Sequence, residues 1–520
     1  MARDPIIVVL ADLFLVHPGI QARLLRDWAC RDEDLKDRVV IKIIELPADR
    51  AVDDVVEEIA SHDPTIVGFS CYVWNMDRID RIVPLLKARA GPGMRSILGG
   101  PEVAPIPADI LSRHLWADWV AYADEGEEVF RLFLRALALG DGPIEKTPGM
   151  AFRHGGRIVK TPLPDFIDLD AAPPLYGRWN GGRPPTCILE TSRGCSLTCK
   201  YCDWGDRKMR YVSIERLREE FRAAAKLSDS ISLTDADILM HRSRGKAIIE
   251  AFLESTAGNS VLLGFNTNPA FLHRDIVDIL ARAPRKFSLH LGVQSTNPKA
   301  LALIDRHFDR AKVEENLDYL IQAAPETAAA IQLIFGLPGD DLDGYRRSLD
   351  WGLRVLAKHE FGGFLESSPL LVLPGAAVYR EARELGLIYS SLPPYVVQRT
   401  ATMDEADIQR AFWLCGSASI LSGWPDVRKM LLPLANWASS HGHELPYVTL
   451  IEEWGRFLED RGLGLTGGSR HFDVGKTRRR LAEDAVSRAA ILLATRRFAE
   501  RFRSDAAAQA PSFLGLGNKK

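Results

Sequence analysis

The sequence predicts an α/β chain in three parts. They are an N-terminal doubly wound Rossmann-like sheet, a partial (β/α)6 TIM-type barrel and a mainly helical C-terminal domain. Three observations lead there. Over roughly the first 140 residues, short apolar runs alternate with amphipathic stretches. A second alternating series begins at Cys187, after a passage rich in Pro and Gly. From Leu392 onward the pattern turns helical and rich in Trp. The expected boundaries are 1–140 for the sheet domain, 141–185 for a linker, 186–391 for the barrel and 392–520 for the helical domain.

In the first series, strands are expected over 5–13, 39–46, 65–72, 96–99 and 119–123. Helices fall over 21–29, 52–61 and 78–90, with another after Glu127. Strands that alternate with helices form a parallel sheet, and its ligands bind at the carboxyl ends of the strands. The phrases at those ends are Tyr72-Val-Trp74-Asn75, Gly99-Gly100-Pro-Glu102 and Asp124-Glu-Gly126-Glu127-Glu128. The linker contains a small β-like piece at 149–160. Barrel strands are expected over 187–191, 230–234, 261–266, 287–293, 330–335 and 364–371, which places a site at their carboxyl ends. Trp413, Trp424, Trp437 and Trp454 are read as core residues of the last domain. Tyr395 is read as a wall of a substrate cavity, and the basic run 476–480 as a solvated helix face.

With 46% hydrophobic and 26% charged residues among 520, the chain is of ordinary globular composition. The 66 basic and 69 acidic side chains leave a net charge of -3, which gives no global attraction to nucleic acid or to an anionic membrane. No apolar run approaches the ~18 residues of a membrane helix. The apolar N-terminus carries Asp12 in its middle and reads as a buried strand, so a cytoplasmic location is expected. Seven cysteines, three of them within eight residues, do not form a disulfide framework; metal or redox use is expected.

Those three lie in Arg193-Gly-Cys195-Ser-Leu-Thr-Cys199-Lys-Tyr201-Cys202, directly after the first barrel strand. Three thiolates on one loop can hold three irons of a [4Fe–4S] cubane and leave the fourth open. S-adenosylmethionine can chelate that open iron through its amino and carboxylate groups. A zinc site would need a fourth ligand, and no second Cys-x2-Cys stands nearby. Cys195, Cys199 and Cys202 are therefore the expected metal ligands and the heart of catalysis.

From about residue 5 to 400, the sequence resembles the cobalamin-dependent radical S-adenosylmethionine enzymes, whose best-known members are class B methyltransferases. The C-x3-C-x2-C spacing, with aromatic Tyr201 before the third cysteine, carries the resemblance. So do phrases at successive strand ends: Asp235-Ala-Asp237, Asn266-Thr-Asn268, Gln294-Ser295, and Gln332 with Gly336 and Gly339. The resemblance implies that these residues contact S-adenosylmethionine. Asp235 is the first choice for its amino group and Asp237 the second. Read alone, Asn266 and Gln294 suit strand-end caps equally, and the two acids suit a helix N-cap.

The resemblance further implies a cobalamin site on the first sheet, formed by Tyr72, Trp74, Asn75, Gly99, Gly100, Glu102, Gly126 and Glu127. His17 stands five residues after Asp12, the wrong spacing for the Asp-x-His-x-x-Gly motif that ligates cobalt from below. Trp74 would cover that face instead; a core aromatic is its bland alternative. The implied activity is methylation of an unactivated carbon of a small-molecule or peptide substrate, fed by an electron donor such as flavodoxin or ferredoxin. A rearrangement, ring contraction or cyclisation with the same cofactors is the second reading. A non-catalytic cobalamin-binding sensor with a structural cluster is the third.

Overall fold

The computed structural model describes residues 4–508 apart from 92, 173, 180, 206, 359–362, 441–443, 445 and 464–484. The first strand, β1 (Ile6–Phe14), is a run of Ile, Val and Leu because both of its faces are covered. It lies between β2 (Val39–Pro47) and β3 (Ile66–Ser70), followed by β4 (Arg95–Gly99) and β5 (Trp119–Ala121), all parallel. Helices α1 (Gln21–Ala29), α2 (Val52–Ala60), α3 (Met76–Ala90), α4 (Pro107–Arg113) and α5 (Gly126–Leu139) connect them. One apolar core forms around Ile59, Ile79 and Leu86 and a second around Phe130 and Phe133, so the sheet is wound on both faces.

The strand order 2-1-3-4-5 reverses between β1 and β3, and ligands of such sheets bind at that kind of reversal. The β-like piece expected inside the linker extends this sheet. It forms β6 (Met150–His154), antiparallel to β5, and β7 (Arg157–Lys160), antiparallel to β6. Gly155 and Gly156 both take positive φ (56° and 76°), as a two-residue hairpin turn requires. Burial of Met150, Ala151 and Phe152 anchors the hairpin.

The second sheet is parallel and has the order β15-β14-β13-β12-β11-β8, so each strand follows its neighbour as in an open barrel. Its strands are β8 (Cys187–Leu189), β11 (Ser230–Leu233), β12 (Leu262–Thr267), β13 (Phe287–Gln294), β14 (Ala328–Phe335) and β15 (Phe364–Pro369). The expected first strand breaks after Leu189. The chain then forms a separate antiparallel hairpin of β9 (Ser192–Cys195) and β10 (Arg207–Tyr211). Helices α6 (Ile214–Leu227), α7 (Arg242–Ser255), α8 (Arg274–Leu280), α9 (Pro298–Leu303), α10 (Arg310–Ala323) and α11 (Leu342–Ala357) complete the βα units.

After the short α12 (Ala377–Arg380) come β16 (Ile388–Tyr389) and β17 (Val397–Arg399), an antiparallel pair inside the region expected to be barrel end and helix. Among the described residues, four helices follow: α13 (Glu405–Gly423), α14 (Pro425–Ser440), α15 (Pro446–Glu459) and α16 (Ala485–Ala508). A capping box between Asp404 and Asp407 starts α13. Trp454 is wholly buried and donates to Thr495 Oγ1 at 3.1 Å, which is core behaviour. Trp413 and Trp424 are partly buried under Arg410 and Arg488. The Trp437 side chain and the basic run 476–480 lie outside the described residues.

The two sheets meet through side chains at the carboxyl ends of the first one. Glu102, after β4, is 2% exposed and accepts a hydrogen bond from the Tyr395 hydroxyl, between β16 and β17. Burial pushes its carboxyl up to about 7. The folded protein thus binds a proton that the unfolded chain releases near pH 4.5. Stability falls as pH rises from there to about 7, by at most about 3 kcal/mol, and is flat above. Glu102→Gln removes this slope and raises stability at pH 8 relative to the parent chain. Guanidinium unfolding at pH 5 and pH 8 measures it; equal slopes in the two proteins would contradict the assignment.

Candidate active site

The loop with the three cysteines joins β9 to β10. Gly194 sits at φ 96°, where a Cβ would lie 2.3 Å from the Lys208 carbonyl oxygen, so the hairpin closes tightly only around glycine. Cys195 ends β9, and Cys202 N donates to Cys199 O at 3.0 Å to form the turn that brings the second and third thiols round. The barrel grips the loop from outside. Lys200 N donates to Ile304 O, Thr198 Oγ1 donates to Asp305, and Lys200 Nζ pairs with Glu381 at 2.8 Å. All three cysteines are free thiols, and burial pushes those of Cys195 and Cys202 up.

A cavity of about 300 Å³ opens beside the thiols. Its wall brings together Cys195, Cys199, Tyr201, Cys202, Asp235, Asp237, Asn266, Asn268, Gln294 and Gln332. Ser295, expected with them, lies elsewhere: it is buried and donates to Asp340 Oδ2 at 3.2 Å. Gln294 is one of the few non-glycine residues with positive φ (72°) among the described residues, at the irregularity where β13 leaves its ladder with β14. Gln332 donates to Glu366 at 3.0 Å on the neighbouring strand.

The two acids differ in what surrounds them. Asp235 accepts from Thr191 N at 3.0 Å, Thr191 Oγ1 at 2.6 Å and Ser192 Oγ, tying the end of β11 to the start of β9. Asp237 accepts from Leu239 N, Met240 N, Thr267 Oγ1 and, at 2.6 Å, Asn268 N. It forms the turn after β11 and binds it to the end of β12. Burial pushes its carboxyl up to about 6.

Sequence reasoning missed three residues here. Arg306 is half-buried, donates from Nη1 to Cys199 Sγ at 3.4 Å and from Nη2 to Gly292 O, and lines the cavity. No motif announces it. His290 lines the same wall, and its Nδ1 lies 3.5 Å from Glu366 Oε2. Both were within reach, because strand parity puts His290 on the face of Gly292 and Gln294, and register puts Glu366 beside Gln332.

At the carboxyl edge of the first sheet, most side chains expected around cobalamin are engaged within the protein. Asn75 is fully buried: its Nδ2 donates to Leu13 O and Ser70 O, and its Oδ1 accepts from Tyr72 N at 2.8 Å. Gly100 sits at φ 106°, with the Cys71 carbonyl oxygen 2.7 Å from where a Cβ would stand, so the close approach of two turns demands glycine. Gly99 ends β4, and Gly126 starts α5. Glu127 is buried against Arg193. Trp74 is different: it is 40% exposed and stacks on Tyr72, with ring centroids 4.3 Å apart and 8° between planes. A second cavity, of about 160 Å³, lies between α4 and the 374–395 segment, with Arg113 and Tyr395 in its wall.

Two family models match the chain: the B12 binding domain over residues 22–134 and the Radical SAM superfamily over 189–352. The cobalamin-dependent radical SAM methyltransferase TokK of Streptomyces tokunonensis is 31% identical over 417 residues, 74% of this chain and 58% of its own length. A 2-(S-pantetheinyl)-carbapenam-3-carboxylate methyltransferase of Streptantibioticus cattleyicolor is 29% identical over 385 residues, 68% of this chain and 54% of its own. The chain thus spans little more than half the length of these relatives. Among solved structures, the cobalamin-dependent S-adenosylmethionine radical enzyme OxsB, with aqua-cobalamin and S-adenosylmethionine bound, aligns with a TM-score of 0.62. It shows 13% identity, and the match covers 99% of this chain and 82% of OxsB. The radical S-adenosylmethionine methyltransferase TsrM of Kitasatospora setae aligns at 0.58 with 15% identity, covering 78% of this chain and 83% of TsrM. These two likenesses concern the fold.

The residues present fit the groups such domains take. Three thiols on one loop, around a cavity with polar strand ends, supply the donors for a [4Fe–4S] cluster and S-adenosylmethionine. An aromatic stack at the carboxyl edge of a doubly wound sheet offers a flat apolar surface to a corrin ring. The chain therefore carries a B12-binding domain followed by a radical SAM domain, the pairing of the cobalamin-dependent radical S-adenosylmethionine family.

Proposed function

We propose that this chain methylates an unactivated carbon of a small natural-product scaffold. The observation that carries the reading is the meeting of the two domains. The hairpin that bears Cys195 contacts the carboxyl edge of the B12-binding sheet through Arg193 and Glu127. Two relatives named as methyltransferases support it, one of them named for a carbapenam carboxylate. When bound, the cluster and S-adenosylmethionine supply a hydrogen-abstracting 5′-deoxyadenosyl radical, and cobalamin supplies the methyl group.

The protein's own part is to bind, orient and exclude water. Asp237, rather than the Asp235 first expected, is our choice for the amino group of S-adenosylmethionine. Its carboxylate lies close enough to Cys195 and Arg306 to act on both, whereas Asp235 is spent on Thr191 and Ser192 at the start of the cluster hairpin. Arg306 presents a fixed positive charge beside the thiols. Asn266, Asn268, Gln294 and Gln332 supply neutral polar contacts. On the substrate side we place the second cavity, where Tyr395 stands. An electron donor such as flavodoxin or ferredoxin completes the cycle, and the reaction belongs in the cytoplasm.

Asp237→Asn should weaken S-adenosylmethionine binding by about ten- to a hundredfold, the worth of a hydrogen bond to a charged group. Asp235→Asn should lower the melting temperature and change that affinity less; equilibrium dialysis of the reconstituted protein separates the two. The reaction itself is tested anaerobically with methyl-labelled S-adenosylmethionine against a panel of natural-product scaffolds. The expected result is a product heavier by one labelled methylene, together with both S-adenosylhomocysteine and 5′-deoxyadenosine. A rearranged product of unchanged mass would overturn methylation in favour of rearrangement.

A further inference from the structure

The acidic turn after β5 has a use that the cofactors do not claim. Asp124, Glu125 and Glu127 each meet an arginine of the cluster hairpin. Arg193 Nη2 reaches Glu127 Oε1 at 2.5 Å and its Nη1 reaches Oε2 at 3.1 Å, a bidentate pair. Arg210 lies 2.7 Å from Glu125 and Arg207 2.7 Å from Asp124. In the first two pairs the carboxylates are buried and the arginines nearly so, with side-chain exposures of 14% and 8%, and of 12% and 2%. The Asp124–Arg207 pair is open to water and holds less. The linker is caught in the same contact: Ile167 N donates to Glu125 Oε2 at 3.0 Å, and the Arg210 guanidinium lies 4.4 Å from the centre of the Phe166 ring.

The teeth of this comb stand beside the first cluster ligand. Arg193 is two residues before Cys195, Arg207 is the ladder partner of Cys195, and Arg210 is the ladder partner of Arg193. A shift of the turn is therefore passed to Cys195 through one short hairpin. The planar, bidentate Arg193–Glu127 pair fixes direction as well as distance, which a lysine would not, and Arg210 adds a single close approach to Glu125. Charges taken out of water must keep their partners, so the buried pairs resist sliding.

We propose that the 124–127 turn is an interdomain register device. Through Arg193 and Arg210 it sets the distance between the cluster and cobalamin, and Glu127 is a positioning residue, not a cobalamin contact. The inference rests on the proposed function only in that both cofactors occupy one chain; it holds whether the product is methylated or rearranged.

The test uses the reconstituted full chain with cob(II)alamin and a reduced cluster, in Glu127→Gln, Arg193→Gln and the swapped pair Glu127→Arg with Arg193→Glu. Electron paramagnetic resonance reads the dipolar coupling between the two centres. Hydrogen exchange reads the amides of 192–211. The expected result for both single variants is weaker or more dispersed coupling and faster hairpin exchange, at parental iron and cobalamin content. The ratio of 5′-deoxyadenosine to final product should rise, and the swap should restore part of the coupling. Parental coupling in all three would overturn the proposal. So would loss of cobalamin from Glu127→Gln with hairpin exchange unchanged, which would make Glu127 a cobalamin contact. A variant that loses its cluster outright would make the pair a support of the cluster loop and would equally overturn it.

Discussion

One loop of eight residues has to present three thiols to one cavity, and the structure is arranged to hold that loop still. Gly194 lets its hairpin close. From the barrel side, Lys200, Thr198 and Cys199 are held by Ile304, Asp305 and Arg306, three consecutive residues after α9. From the other domain, Arg193 is clasped by Glu127. From below, Asp235 takes three hydrogen bonds from Thr191 and Ser192. A loop held on three sides costs little further ordering when it takes up a cofactor, which is the physical content of preorganisation.

The cavity follows from topology. In a parallel barrel the strand ends gather at one mouth, so residues far apart in sequence, from Asp237 to Gln332, reach one wall. The carboxyl edge of the first sheet is brought to that mouth by buried polar contacts: Glu102 with Tyr395, and Glu127 with Arg193. Such contacts add little net stability compared with apolar packing, but they are specific in direction. That suits an enzyme in which two reactive centres on different domains must face each other.

Much of this was legible in the sequence, and what was not has physical reasons. Strands such as β1 and β3 announce themselves because both faces are buried, and the cysteine spacing encodes its loop because all three cysteines are local. The β-like piece at 149–160 was visible, but whether it joined a sheet depended on an edge, β5, whose pairing no local pattern states. The roles of Asp235, Asn75 and Glu127 were hidden because their partners are 43 or 44, up to 62 and 66 residues away. Polar residues at strand ends look alike whether they await a ligand or brace a turn. Arg306 carried no signal beyond its charge, since its partner atoms are a sulfur 107 residues away and a backbone carbonyl.

The central claim is that one chain holds a cluster on Cys195, Cys199 and Cys202 and a cobalamin on a separate domain. Anaerobic reconstitution followed by analysis of iron, sulfide and cobalt tests it most directly, in the parent chain and in the variant with all three cysteines changed to alanine. The account predicts about four irons and one cobalamin per chain in the parent. In the variant the iron is lost and the cobalamin kept. Retention of iron by the variant, or a parent that takes up no cobalamin, would contradict it.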